Sequence, residues 1–100
     1  MNELESHIFT YVVEFRGGTY CTQVKSENIE NSVFKWLEKI KEEKKEIHYL
    51  GSKTLQELEF QILNQEVFPT KVEKLNNVWF LNFNCKSGSF LINIIKTSAI

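Results

Sequence analysis

The chain has 100 residues, which is the usual size of one domain with a single hydrophobic core. Twelve basic and thirteen acidic residues leave a formal charge of −1, so no net positive field attracts nucleic acid or an anionic membrane. Hydrophobic residues make up 42% of the composition, which excludes a disordered chain at so low a net charge. We therefore expect one folded domain over residues 1–100.

The sequence also predicts the cellular location of the protein. Its first residues lack the pattern of a signal peptide, and no apolar run approaches the roughly 18 residues that span a bilayer. We expect a cytoplasmic protein without membrane contact. Cys21 and Cys85 are 64 positions apart and are predicted on opposite sheet faces, so we expect free thiols.

The first element is a predicted β-hairpin. The stretch FTYVVEFRGGTYCTQV, residues 9–24, alternates apolar and polar residues around two glycines. A two-residue turn at Gly17 and Gly18 would place Phe15 opposite Tyr20. The apolar face, predicted to pack on the core, carries Phe9, Tyr11, Val13 and Phe15. The opposite face carries Val12, Glu14, Arg16, Cys21 and Gln23.

Two helices are predicted next. Ser26 or Asn28 is placed to cap a helix whose apolar residues between Ile29 and Ile40 form one stripe. Charges alternate from Lys39 to Glu46, which indicates a solvated helix end or a docking surface. The tetrapeptide Thr54–Glu57 fits a capping box and predicts a second, shorter helix.

The last third is predicted to be strand-rich. Lys71–Leu75 resembles a weak strand, and Val78–Lys86 with Ser89–Thr97 resembles a strong hairpin around Ser87 and Gly88. The apolar face of this hairpin carries Trp79, Leu81, Phe83, Cys85, Phe90, Ile92 and Ile94. The second face carries Phe80, Asn82, Asn84, Leu91, Asn93 and Ile95, with Asn82 predicted directly opposite Asn93.

These elements predict an α+β fold in the order β-β-α-(α)-β-β-β, with an antiparallel sheet of four to five strands and two helices packed on one face. The other sheet face would be open. Large apolar groups mixed with amides are typical of protein interfaces, although Phe80, Leu91 and Ile95 are also compatible with ordinary strand positions. The candidate binding residues are Glu14, Arg16, Gly17, Gly18, Gln23, Phe80, Asn82, Asn84, Leu91 and Asn93.

Motifs for catalysis and metal binding were sought along the whole chain. His7 and His48 lack metal-ligand spacing, and the two glycines lead into a strand, whereas a phosphate loop leads into a helix. An activated thiol at Cys21 beside Arg16 would be opposed by the nearby Glu14 carboxylate. We therefore expect no enzyme, no cofactor and no metal. Scattered basic residues and few open-face aromatics disfavour RNA binding.

Three segments carry a resemblance: GGTYCTQV, followed by a capped helix with Trp36, and later NVWFLNF with LINIIKT. Together they resemble a group of small bacterial proteins without assigned chemistry, some of which are immunity-type proteins that neutralise a toxin. The first forty residues are also similar to HicB-like antitoxins, without the Asp-Leu-Pro-Gly-Cys-like turn typical of those. The resemblance implies a binding function with a cognate protein toxin as partner. Three alternatives remain: a homodimeric structural or adaptor protein that pairs through the open face or an edge strand, a small-ligand or enzymatic domain with a pocket between sheet and helices, and an RNA-binding domain.

Overall fold

The computed structural model describes residues 6–99 and contains five strands and two helices in that part of the chain. The strands are β1 (His7–Phe15), β2 (Gly18–Ser26), β3 (Thr70–Lys71), β4 (Val78–Cys85) and β5 (Gly88–Ala99). The helices are α1 (Ile29–Glu42) and α2 (Ser52–Leu63), with a short 3-10 turn at Lys44–Glu46 between them. This confirms the predicted α+β class and the order of its elements.

All five strands form one antiparallel sheet in the order β2-β1-β5-β4-β3. Strands β1 and β5 occupy the middle of the sheet and pair with each other along most of their length. The two hairpins, β1–β2 and β4–β5, are therefore joined through the first and the last strand. Among the described residues, β2 and β3 are the edges.

Both helices pack on the same face of the sheet, as predicted, and an aromatic stack lies beneath them. The Tyr11 and Trp36 rings are parallel with centroids 5.5 Å apart, and the Phe83 ring lies 6.0 Å beyond Trp36. Phe15 and Phe90 stack at 4.0 Å in the neighbouring part of the core. Odd-numbered positions of β1 and β4 face the helices, because strand side chains alternate between faces.

Helix α1 begins where the sequence indicates. The Asn28 side chain accepts a hydrogen bond of 2.7 Å from the Asn31 backbone N–H, which satisfies one of the free donors of the first turn. One stripe of the helix is buried against the sheet and consists of Val33, Trp36, Leu37 and Ile40. Phe34 lies off this stripe and is exposed, as the helical spacing predicts.

Both hairpin turns lie one residue earlier than predicted. Arg16 and Gly17 form the first turn with φ values of +51° and +86°, and Phe15 pairs with Gly18 instead of Tyr20. In the second hairpin, Cys85 pairs with Gly88 instead of Phe90. Each correction moves the partners by two positions, so the side chains of the paired strands keep their predicted faces.

Packing explains why glycine is needed at position 18. A Cβ atom there would collide with the Tyr20 ring, so Gly18 is required by close approach and not by the turn. Gly88 has φ +147°, a conformation that side-chain-bearing residues rarely adopt. Gly18 and Gly88 therefore meet two different structural requirements, a close approach and an unusual backbone conformation.

The start of α2 differs from its prediction. The helix begins at Ser52 after Gly51, and no side chain of the described residues caps it. Thr54 is buried, and its hydroxyl is 2.8 Å from the Ser87 hydroxyl in the β4–β5 turn. The predicted capping box is wrong because this tertiary hydrogen bond engages the threonine.

Strand β3 is also shorter than predicted. It covers only Thr70 and Lys71, because the chain turns after them with positive φ at Lys74 and Asn77. Neither α1 nor α2 has the length and apolar character required to cross a membrane.

Candidate interaction surface

The sheet face opposite the helices is open in the described part of the chain. It consists of the side chains that alternate away from the core on four strands. The even-numbered residues of β1 and β4 and the odd-numbered residues of β2 and β5 share it. The predicted candidates on this face are Glu14, Gln23, Phe80, Asn82, Asn84, Leu91 and Asn93.

The register places Asn93 at the centre of this face. Val12 on β1 and Phe80 on β4 lie directly opposite Asn93, one on each side. Leu91 and Ile95 flank it on the same face of β5, two positions away. We call these five residues the Asn93 patch. It is a ring of apolar side chains around one amide, with Phe80 38% and Leu91 41% exposed.

The asparagines of β4 are arranged differently from the prediction. Asn82 lies opposite Leu91, so the predicted Asn82–Asn93 pair is wrong; Asn93 pairs with Phe80 instead. The Asn82 side-chain oxygen is buried and lacks a hydrogen-bond partner among residues 6–99. Asn84 is engaged locally, since its side-chain oxygen accepts a 2.9 Å hydrogen bond from the Ser89 hydroxyl.

Charge is sparse around the patch. Glu14 lies at its margin, opposite Leu91 on one side and Thr19 on the other. Gln23 lies farther along β2 and donates a 3.0 Å hydrogen bond to the Thr10 hydroxyl. An apolar centre with few charges and a polar margin is the composition found at the centres of protein interfaces.

Arg16 follows β1 in the hairpin turn and lines a groove of about 330 Å³ together with Glu14, Gly17, Gly18 and Leu91. Its guanidinium donates a 2.9 Å hydrogen bond to the Ser87 carbonyl, in the turn of the other hairpin. The same group lies 4.1 Å from the centroid of the Tyr49 ring, in the loop between the helices. Glu14 and Arg16 form no ion pair with each other among the described residues. The binding roles predicted for Arg16, Gly17 and Gly18 remain predictions.

Arg16 belongs to a contact set that holds the two hairpin turns against the loop between the helices. Tyr20 completes it, because its hydroxyl accepts a 3.2 Å hydrogen bond from the His48 backbone N–H. We call Arg16, Tyr20, Tyr49 and Ser87 the tip clamp. Sequence reasoning missed Tyr49 and Ser87, since no local pattern indicates contacts between residues so far apart in the chain.

The two cysteines are free and lie on opposite faces, as predicted. Cys21 is exposed on β2, whereas Cys85 is half-buried at the end of β4. Burial and, to a smaller extent, the nearby Glu57 carboxylate together raise the pKa of the Cys85 thiol to about 11. Cys85 is therefore protonated at neutral pH, which disfavours nucleophilic chemistry there.

The described residues offer little else for chemistry or ligand binding. No three His, Cys, Asp or Glu side chains within residues 6–99 converge to hold a metal ion. A groove of about 940 Å³ lies between α2 and the β4–β5 turn, with Lys53, Phe60 and Lys86 among its walls. It is wide and runs along the outside of α2, unlike the enclosed pocket between sheet and helices that a small-ligand domain would use.

Comparison with known proteins identifies no relative. The chain matches no family model, no curated protein and no solved structure.

Proposed function

We propose that this chain is a non-enzymatic protein-binding domain of the immunity type, which neutralises a cognate bacterial toxin by covering part of its surface. The observation that carries the proposal is the Asn93 patch. Phe80 and Leu91 are exposed together, at diagonal positions of neighbouring strands, on a face that the helices do not cover. Contiguous exposed apolar area of this kind is uncommon on monomers without a binding role.

The patch has the physical properties that a tight inhibitor needs. Its residues lie on paired strands, so little conformational entropy is lost when a partner binds. The apolar ring supplies area to desolvate, and the amides of Asn82 and Asn93 supply directional hydrogen bonds.

The surroundings of the patch indicate which toxin surface fits it. Glu14 is the acidic group at the margin, so it faces a basic side chain of the toxin in the proposed complex. Inhibition is stoichiometric, because the chain occludes the toxin and modifies no bond. The complex forms in the cytoplasm, where the free thiols Cys21 and Cys85 stay reduced.

Co-expression with the proteins encoded by adjacent genes tests the proposal. We expect one of these to be toxic alone, and to become harmless and co-purify when this chain is present. Phe80→Arg places a charge at the centre of the interface and should abolish both protection and co-purification. Phe34→Arg is the matched control, because Phe34 is a phenylalanine of similar exposure on α1, which packs on the other face of the sheet.

Thermal unfolding of each variant must be measured beside the binding assay. A folded Phe80→Arg protein that still protects cells would show that another surface binds the toxin. Protection lost equally in both variants would indicate a general defect and would also contradict the assignment of the patch.

A further inference from the structure

The outer edge of β2 is free to pair with another strand. Strand β2 has nine residues and, within residues 6–99, pairs only with β1. Because Phe15 and Gly18 close the two-residue turn, even-numbered residues of β2 bond to β1 and odd-numbered residues point outward. No hydrogen bond among residues 6–99 reaches the outward backbone groups of Thr19, Cys21, Gln23 and Lys25. An unpaired edge of this length is a template for strand addition.

Helix α1 lies beside this edge and presents a charged stripe to it. A groove of about 370 Å³ separates the two elements and is lined by Gln23, Val24, Lys25, Lys35, Glu38, Lys39 and Glu42. The four helix residues follow the spacing i, i+3, i+4, i+7, so they share one face of α1. All four are exposed, and their charges run plus, minus, plus, minus along the helix.

In an antiparallel copy the same charges run minus, plus, minus, plus, so two copies of the stripe are complementary to each other. When two copies of α1 lie antiparallel with a two-fold axis between residues 38 and 39, Lys35 of one copy meets Glu42 of the other. In the same arrangement, Glu38 meets Lys39 of the second copy. A parallel arrangement would place like charges together. The stripe therefore favours a second copy of this chain in a symmetric, antiparallel orientation.

The position of the β2 edge is consistent with the same two-fold axis. Lys39 lines the groove with Gln23 and also lies beside Cys21 and Thr22 in a second groove of about 530 Å³. An axis that passes near Lys39 on the helix therefore passes near Thr22 on the strand. Antiparallel pairing about Thr22 puts Cys21 opposite Gln23 of the second copy, and both residues have outward backbone groups.

We propose that this protein forms a two-fold dimer in which β2 pairs antiparallel with β2 of a second copy, while the α1 stripes of the two copies form ion pairs. The five-stranded sheet becomes continuous across the dimer. Both copies keep the Asn93 patch uncovered, on the same side of the joined sheet. The dimer therefore does not depend on the proposed toxin-binding function, and either could fail without the other.

Sedimentation equilibrium of the full chain tests the dimer and its charge pairing. We expect a mass about twice 11.8 kDa at high protein concentration. Lys35→Glu puts two carboxylates together at two symmetric places and should raise the dissociation constant roughly tenfold. Adding Glu42→Lys to this variant restores opposite charges and should restore the affinity. Lys53→Glu on α2 makes the same change of charge away from the interface and should have no effect.

Cross-linking tests the register. In a Cys85→Ser background, Gln23→Cys should form a disulfide with Cys21 of the second copy under mild oxidation, because directly paired residues have suitable spacing. Lys25→Cys lies two positions farther from Cys21 and should cross-link far less. A monomer at every concentration would overturn the proposal. A dimer that ignores Lys35→Glu, or that cross-links equally through both cysteine variants, would place the interface elsewhere.

Discussion

The two faces of the sheet come from the same strands but use aromatic residues in opposite ways. On the helix face, Tyr11, Trp36 and Phe83 stack in parallel and are buried completely. On the open face, Phe80 lies beside the amide of Asn93 and is 38% exposed. The comparison separates the residues that hold the fold together from those that remain available to a partner.

Truncation of the aromatic stack should have the largest effect on stability. Trp36→Ala removes the middle ring of the stack and should lower the free energy of unfolding by about 3–5 kcal/mol. Phe80→Ala on the open face should lower it by less than about 1 kcal/mol, because the ring is partly hydrated already. Chemical denaturation of both variants measures the difference.

Trp36→Phe refines this first test. The indole N–H of Trp36 is buried without a hydrogen-bond partner in the described chain, so phenylalanine removes an unsatisfied donor while keeping an aromatic ring. We expect Trp36→Phe to lower the free energy of unfolding much less than Trp36→Ala does. Equal costs would show that the stacked ring does not supply the stability of this face.

A buried hydrogen bond joins the helix face to α1 and should have the next largest effect. The Ser32 hydroxyl donates to the Ile29 carbonyl at 2.7 Å, so the Tyr11 hydroxyl is the donor in its own 2.7 Å bond to Ser32. Tyr11→Phe leaves the ring in place and should cost about 1–2 kcal/mol. Urea denaturation of Tyr11→Phe, Ser32→Ala and the double variant should show strong coupling, whereas additive costs would contradict the bond.

The tip clamp should contribute less than the buried face. Arg16→Ala removes the hydrogen bond to Ser87 and the contact with Tyr49, and it should cost about 1 kcal/mol by thermal or chemical unfolding. Arg16→Gly removes the same contacts but suits the positive φ of this position. It should therefore be more stable than Arg16→Ala by about 1 kcal/mol.

The reactivity of the two thiols also distinguishes the two faces of the sheet. Of the tests described, this one involves the smallest effect on stability. Cys85 on the helix face has its pKa raised from 9.0 to about 11, mainly by burial and then by Glu57. Its contribution to stability is therefore present below pH 9 and is lost as the pH rises towards 11. We expect Cys85 to react more slowly with iodoacetamide than the exposed Cys21 at pH 8.

Glu57→Gln tests the cause of this slow reaction. The substitution removes the carboxylate that raises the pKa of Cys85, while burial remains. Alkylation of Cys85 in a Cys21→Ser background should become faster and should reach its maximum at lower pH. An unchanged pH profile would assign the whole effect to burial.

The sequence predicts the assignment of residues to the two faces because alternation is a local property. Tyr11 and Leu81 are inward and Phe80 and Asn93 are outward, whatever partner each residue has. The register of the first hairpin was wrong by two positions because its turn uses Arg16 at positive φ, a conformation that sequence reasoning assigns to glycine first.

Contacts between distant segments account for the remaining differences. The pairing of β1 with β5 creates the Asn93 patch, since it brings Val12 beside Asn93, and no local pattern specifies which strands become neighbours. Thr54 is a residue type that often caps helices, yet its hydroxyl forms a hydrogen bond with the hydroxyl of Ser87 in the β4–β5 turn. The candidate surface was therefore predictable as a set of residues, but its arrangement around Asn93 was not.

The central position of β1 and β5 has a consequence for the order of folding. These strands pair residues as far apart as His7 and Ala99, so the middle of the sheet closes a loop of most of the chain. Closing such a loop costs chain entropy before any contact repays it, which slows folding. During synthesis, the β1–β2 hairpin and α1 emerge first but lack the strand that buries their second side. We expect the nascent chain to remain sensitive to proteases until residues 88–99 have left the ribosome.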